Sequence, residues 1–198
     1  MVRDLTESLD LLARAVRIRA PRRVDARQPG ERAAVAIIAR PGGELLFIRR
    51  SEHEGDPWSG HMAFPGGKME SADISTRAAA AREACEEVGL DPERGTYLGP
   101  LDDLESPARI ARRRLVITPH VWVLQEAPQL RPNGEVAGIH WFGLSRLVSG
   151  EGRGEFTYRW RGQPVQLPVV RLESREIWGL TLRIVDDLLE RVAALEPA

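Results

Sequence analysis

The chain has a single cysteine, Cys85, among its 198 residues. That excludes an internal disulfide and any CxxC metal site. It has no apolar run near the ~18 residues that a membrane span needs, and its first residues lack a signal-peptide core. The expected location is therefore the cytoplasm, with no membrane partner. Charge of one sign is not in excess either, since 28 Lys and Arg stand against 29 Asp and Glu. No global basic field argues for nucleic acid. Internal repeats and low-complexity segments are absent. What remains is ordinary for a globular protein, at 42% hydrophobic and 29% charged residues, and the length fits one domain.

The pattern along the chain alternates strands and helices. Leu5, Leu9, Leu12 and Val16 follow helical spacing over residues 4–19, and Pro21 ends that helix. "AAVAIIAR", "PGG" and "ELLFIRR" then read as a hairpin. A loop over 51–63 leads to "FPGG", and a helix is expected from about Ile74 to Val88 with Gly89 as its stop. "TYLGPL", "LVITPHVWVL" and "EVAGIHWFGL" read as strands, with Pro119 marking an edge or a bulge. "EFTYRW" and "QPVQLPVV" form a late hairpin, and a closing helix is expected from Ser174. This interleaving predicts an α/β or α+β fold with a mixed sheet.

Within that order, Glu83, Glu86 and Glu87 crowd one helical turn. At ~100° per residue they share an arc of roughly 100°. Ala78, Ala81, Cys85 and Val88 fall on the other side, which is the expected packing face. A solvated acidic face is the plain reading of such a turn. Like charges at i, i+4 repel, however, and negative charge near a helix C-terminus opposes the helix dipole. Only Arg82 offers local compensation. A hard divalent cation would remove the conflict by taking the carboxylate oxygens as ligands. Gly66 and Gly67 allow a close backbone approach beside it.

These residues resemble the Nudix hydrolase signature. Gly67 opens it, Asp73 stands at its acidic position after five residues, and "REACEEVGL" (82–90) matches the remaining fixed positions. Asp replaces the usual Glu, and eight residues instead of seven separate Asp73 from Arg82. The extra residue is typical of the branch similar to coenzyme A pyrophosphatases. "LLFIRRS", "SGHMAFPGG", "LGPLDDL", "VITPHV" and "IWGLT" also resemble that branch in order, so the likeness covers about residues 33–190. Its upstream signature departs, with Phe47 in place of Thr and Asp56 in place of an Arg.

The resemblance implies a Nudix-type α/β/α sandwich over residues 31–196, preceded by a helix and linker over 1–30. It implies a small-molecule nucleoside diphosphate substrate, Mg²⁺ or Mn²⁺ as cofactor, and an open question of homodimerisation. Glu83, Glu87 and Glu86 are the implied metal ligands, with a carbonyl from Gly67, and Arg82 orients them. Glu86 or Glu135 is the implied base, and Glu105 a weaker candidate. Arg50, Gly66, Gly67, Arg112 and Arg113 are the substrate-binding candidates, the last two suited to a 3′-phosphate. The implied reaction converts coenzyme A or its thioesters to 4′-phosphopantetheine and adenosine 3′,5′-bisphosphate. Alternatives are another nucleoside diphosphate derivative (ADP-ribose, NADH, a dinucleoside polyphosphate) and a Nudix-fold binding module without turnover. Cys85 is expected in the core, as are Trp141 and Trp178. Trp58 either stacks on a base or anchors its loop. The arginines at 14, 17, 19, 22 and 23 are expected to be solvated.

Overall fold

The computed structural model describes residues 5–25, 30–54, 58–106, 114–160 and 162–195. Helix α1 (Leu5–Arg17) precedes strands β1 (Glu31–Arg40) and β2 (Glu44–Arg50) and the short β3 (Met62–Ala63) and β4 (Gly66–Lys68). Helix α2 (Thr76–Val88) follows, then β5 (Thr96–Pro100), β6 (Leu104–Glu105), β7 (Leu115–Val123), β8 (Val136–Gly143) and α3 (Leu144–Val148). Strands β9 (Arg153–Trp160), β10 (Gln163–Leu172) and β11 (Arg175–Trp178) lead into α4 (Gly179–Ala193).

Among the described residues, eight strands form one mixed sheet and the last three form another. Strand β1 lies at the centre of the large sheet. It runs parallel to β7 and antiparallel to β2 at one end and to β4 at the other. Its residues alternate between two cores, as a strand covered on both faces requires. Ala34, Ala36 and Ile38 meet Ala79, Ala80, Ala84 and Val88 of α2. Ala33, Ile37 and Ala39 share the opposite core with Leu12 and Val16 of α1 and with Leu182, Ile184, Val185 and Leu188 of α4. The result is the expected α/β/α arrangement, with α1 built into the same core. No helix among the described residues is long and apolar enough to cross a membrane.

Three expectations need correction. Of the two readings of Pro119, the edge is overturned: it lies in an internal strand, whose pairing with β5 shifts register nearby, between Tyr97 and Gly99. On the side facing β5 and β6, β5 ends its pairing at His120 and β6 begins at Ile117, so the proline sits in the gap between two short partners. Its carbonyl still accepts the Leu101 amide. The closing helix begins at Gly179, not Ser174, because Glu173 and Ser174 both have positive φ, 49° and 62°. That pair turns the chain back as a β-hairpin, and Arg175–Trp178 pairs with β10.

The third correction concerns Arg19, which is half-buried; Arg14, Arg17, Arg22 and Arg23 are exposed as expected, two of them in ion pairs. Arg19 and Arg22 are ion-paired to Asp102 at 2.7 and 2.6 Å, and Arg23 to Asp103 at 2.7 Å. Arg191 in α4 has a fully buried side chain, pairs with Asp102 and Asp187, and donates to the Val16 and Arg19 carbonyls. Burial alone would raise the Asp102 carboxyl, but Arg19 and Arg22 outweigh it and hold it well below the usual carboxylate range. This knot joins α1, α4 and the segment after β5. Removing a buried partner leaves the others desolvated and unpaired. Arg191→Ala should therefore lower the unfolding free energy by about 3 kcal/mol or more. Arg22→Ala, whose side chain is 79% exposed, should change it by less than about 1 kcal/mol, both read by denaturant titration.

Candidate active site

Helix α2 is fixed at both ends before its side chains are considered. Ser75 caps its N-terminus by accepting the Ala78 amide at 3.1 Å. Gly89, at φ 67°, closes the C-terminus and donates to the Cys85 carbonyl at 3.0 Å. In the first turn, Thr76 bonds to His120 Nε2 at 2.9 Å, and His120 Nδ1 bonds to Tyr97 at 2.7 Å. Burial pushes His120 down to about 4, with Arg23 and Arg77 adding to the effect. This imidazole is neutral near pH 7 and ties α2 to β7 and β5.

The helix rotates differently from the expected packing face. Its buried residues are Ala79, Ala80, Ala84, Glu87 and Val88, whereas Cys85 is exposed. The close approach to β1 selects small side chains over the more apolar cysteine. Glu87 consequently falls in the middle of the buried arc, and only 2% of it is exposed.

A glycine makes that position tenable. The Gly66 amide donates to Glu87 Oε2 at 2.9 Å. Gly66 also has φ 157°, and a Cβ there would stand 2.3 Å from the Ala34 carbonyl, so no other residue fits. At Gly67 a Cβ would stand 2.4 Å from Glu83 Oε1. The glycine pair thus lets the backbone lie directly against two carboxylates.

Arg82 staples the preceding loop. It donates to both Asp73 oxygens, at 3.2 and 3.0 Å, and to the Lys68 carbonyl at 3.1 Å. Its other nitrogen reaches Glu83 and Glu86, each at 3.0 Å. Asp73 is held below its ordinary range by the Arg82 hydrogen bonds first and by the Glu70 amide second. Glu86 is exposed on this guanidinium and does not line the cavity described below.

Glu135 comes from another direction. Its loop is tied to the end of α2 by the Arg131 and Asn133 amides, which donate to the Val88 and Glu87 carbonyls. It is tied to the end of β2 by the Ser51 amide, which donates to the Glu135 carbonyl at 2.7 Å. Glu83, Glu87, Glu135, Arg50, Gly66 and Gly67 all line one cavity of about 700 Å³, within the range of ligand sites. Lys68, which the sequence reading did not single out, joins them. Burial pushes the Glu87 carboxyl up to about 7, and Glu83 and Glu135 push in the same direction against the Gly66 amide and Arg50. Glu83 is raised too, chiefly by burial and partly opposed by Arg82.

Among the described residues, no three His, Cys, Asp or Glu side chains are gathered closely enough to close around an ion as they stand. The donor chemistry nevertheless fits a hard divalent cation. Glu83, Glu87 and Glu135 supply oxygen only and face one space; Glu83 and Glu135 repel the Glu87 carboxylate, and Glu135 that of Glu83, a conflict that a cation offsets. Glu105 is elsewhere, in a two-bond pair with Arg114 at 2.7 Å each. Arg112 and Arg113 lie outside the described residues.

Trp178 is not core filling; it lines the cavity together with Trp58, His61 and Tyr158. Trp141 is half-buried beneath Arg40, whose guanidinium lies 4.5 Å from the ring centre. The missed wall comes from β9–β11, and the alternation in "EFTYRW" was the available signal.

Residues 29–160 match the family model described as NUDIX domain. The chain belongs to the Nudix family. It is thus a hydrolase of a family that acts on pyrophosphate bonds and generally uses divalent metal ions. It is 34% identical over 157 residues to an uncharacterized Nudix hydrolase, NudL, of Photorhabdus laumondii, covering 79% of this chain and 81% of that one. An uncharacterized Schizosaccharomyces pombe protein is 36% identical over 111 residues, which cover 54% of this chain and 34% of that protein. The Nudix domain of Shewanella oneidensis NrtR, complexed with ADP ribose, superposes with a TM-score of 0.55 at 15% identity, covering 85% of this chain and 94% of that one. This last likeness speaks to the fold.

A carboxyl raised in the folded state binds a proton more tightly there, so its contribution favours folding below pH 4.5 and is lost as pH rises toward about 7. In EDTA at pH 8, Glu87→Gln should therefore be more stable than the parent by about 2–3 kcal/mol. Millimolar Mg²⁺ should stabilise the parent and not the variant, as read by thermal melts.

Proposed function

We propose that the protein cleaves the diphosphate of coenzyme A or its thioesters, releasing 4′-phosphopantetheine and adenosine 3′,5′-bisphosphate, with Mg²⁺ or Mn²⁺. The observation that carries the reading is the meeting of Glu83, Glu87, Glu135 and Arg50 around Gly66–Gly67 at one end of a ligand-sized cavity. Glu83 and Glu87 would hold the cation with the Gly67 carbonyl, and Glu86 would contribute through its tie to Arg82. Such a cation, when bound, neutralises diphosphate charge and makes a bound water more acidic.

The remaining work falls to the chain. Arg50 places a guanidinium against the diphosphate oxygens. Gly66 and Gly67 let those oxygens approach the backbone, and the Gly66 amide holds Glu87 in place. A water oxygen attacks one phosphorus, the anhydride P–O bond breaks, and the departing phosphate takes the bond's electron pair. Glu135 accepts the proton of the attacking water. Arg82, bound to Asp73, keeps Glu83 aimed inward.

A second reading keeps this chemistry and changes the substrate to another nucleoside diphosphate derivative. It is favoured by Asp56, which replaces an expected arginine, and by the NrtR domain, whose structure contains ADP ribose. Mass spectrometry of products from coenzyme A, ADP-ribose, NADH and a dinucleoside polyphosphate separates the two. Phosphopantetheine from coenzyme A alone supports the first, and cleavage of the others without it supports the second.

Glu83→Gln or Glu87→Gln should lower kcat by about 10²–10⁴ while the fold persists; near-parent turnover with Mg²⁺ would refute the assignment. Arg112→Ala with Arg113→Ala should raise KM for coenzyme A more than for dephospho-coenzyme A. Equal effects would remove these arginines from 3′-phosphate recognition.

A further inference from the structure

The cavity is divided chemically. All of its charged lining side chains, Arg50, Lys68, Glu83, Glu87 and Glu135, belong to the acidic end and its rim. The remaining wall holds no Asp, Glu, Lys or Arg among the described residues. It is made by β7, the first turns of α4 and the second sheet.

The second sheet explains why this wall is apolar. In the β9–β10 register, Tyr158 stands opposite Val165 and Phe156 opposite Leu167, while Trp178 of β11 stands opposite Val169. These positions share one face, because side chains alternate along a strand. Thr157 and Gln166 occupy the other face and bond to each other at 3.0 Å. The apolar face is consolidated by rings, with Trp178 centred 5.2 Å from Phe156, 5.5 Å from Tyr158 and 4.4 Å from His61. Ile117, Leu180 and Ile184 complete the enclosure from the large sheet and α4. Val165 stays 39% exposed at the rim.

We infer that this end is a chamber for a hydrocarbon substituent on the substrate, so that the protein prefers diphosphates carrying an alkyl or acyl chain over unsubstituted ones. The inference rests on the pyrophosphohydrolase reading of the acidic end and specifies what the rest of the substrate looks like. A nucleobase is the competing occupant, and its ring nitrogens and exocyclic groups need hydrogen-bond partners once buried. The wall's polar side-chain groups are His61, the Tyr158 hydroxyl, the ring N–H groups of Trp58 and Trp178 and the Thr181 hydroxyl, the last already committed to the Met62 carbonyl, and all else it presents from side chains is apolar. Each unmet polar group weakens binding roughly tenfold. A methylene has no such requirement, and burying it strengthens binding by up to about fourfold. Continuity with the carboxylates argues against a second copy of the chain as occupant, since that would close the catalytic entrance.

The test separates chamber from catalysis. Straight-chain alkyl phosphates from ethyl to octyl would be titrated in metal-free buffer, with fluorescence of Trp58 and Trp178 as the readout and adenosine as comparison. Affinity should rise by about two- to fourfold per methylene and then level off when the chamber is full. Leu167→Asn should flatten that slope. A flat series in the parent, or adenosine binding more tightly than hexyl phosphate, would overturn the inference. A dimer that forms with rising concentration and excludes octyl phosphate would overturn it as well. If the alkyl series binds as expected but coenzyme A and its thioesters are not cleaved, the reaction reading fails and the chamber stands. If coenzyme A is cleaved with no gain in kcat/KM for its octanoyl thioester, the reaction stands and the chamber fails.

Discussion

The buried Glu87 carboxylate, held against the Gly66 amide, is the constraint around which the rest of the site is arranged. A carboxylate that is 2% exposed is costly in a helix face that otherwise packs alanines on a sheet. It persists because Gly66 lets β4 come within hydrogen-bond reach, and because both ends of α2 are pinned. The carbonyl ends of α2 in turn anchor the loop that delivers Glu135. One helix therefore sets the positions of two carboxylates directly and a third through its backbone.

The same helix explains how much could be read from the sequence. The crowded glutamates were legible because they break local rules that stability alone would respect, and Gly89 because it obeys one, the left-handed helix stop. The family followed from their spacing. What the helical wheel misjudged was the direction of the core. Apolarity ranks Cys85 above Ala80 and Ala84, but the close packing of α2 on β1 is decided by size, and the cysteine is left outside. Spacing likewise grouped Glu86 with its neighbours, while in space Arg82 draws it to the surface.

Other features depended on partners far along the chain. Nothing nearby in sequence announces partners for Arg19, Arg22 and Arg23, and Asp102, Asp103 and Asp187 pair with them across about eighty or more positions. Ile177 suits the period of a helix and of a strand alike, and the positive φ values at Glu173 and Ser174 decide for a strand. That short strand extends the second sheet and turns Trp178 toward the cavity. The apolar wall is therefore a product of topology, and no local motif announces it. The acidic end is carried by α2 on one face of the large sheet and the apolar end by α4 and the second sheet, and residues of both line the one cavity with Gly66 and Gly67.

The central claim is that the crowded carboxylates exist to hold a cation. Manganese binding followed by electron paramagnetic resonance of the free ion tests it without reference to substrate or turnover. The account predicts saturable Mn²⁺ binding to the parent, weakened at least tenfold by Glu87→Gln or Glu83→Gln and left intact by Glu105→Gln. Equal binding by all four proteins would contradict it.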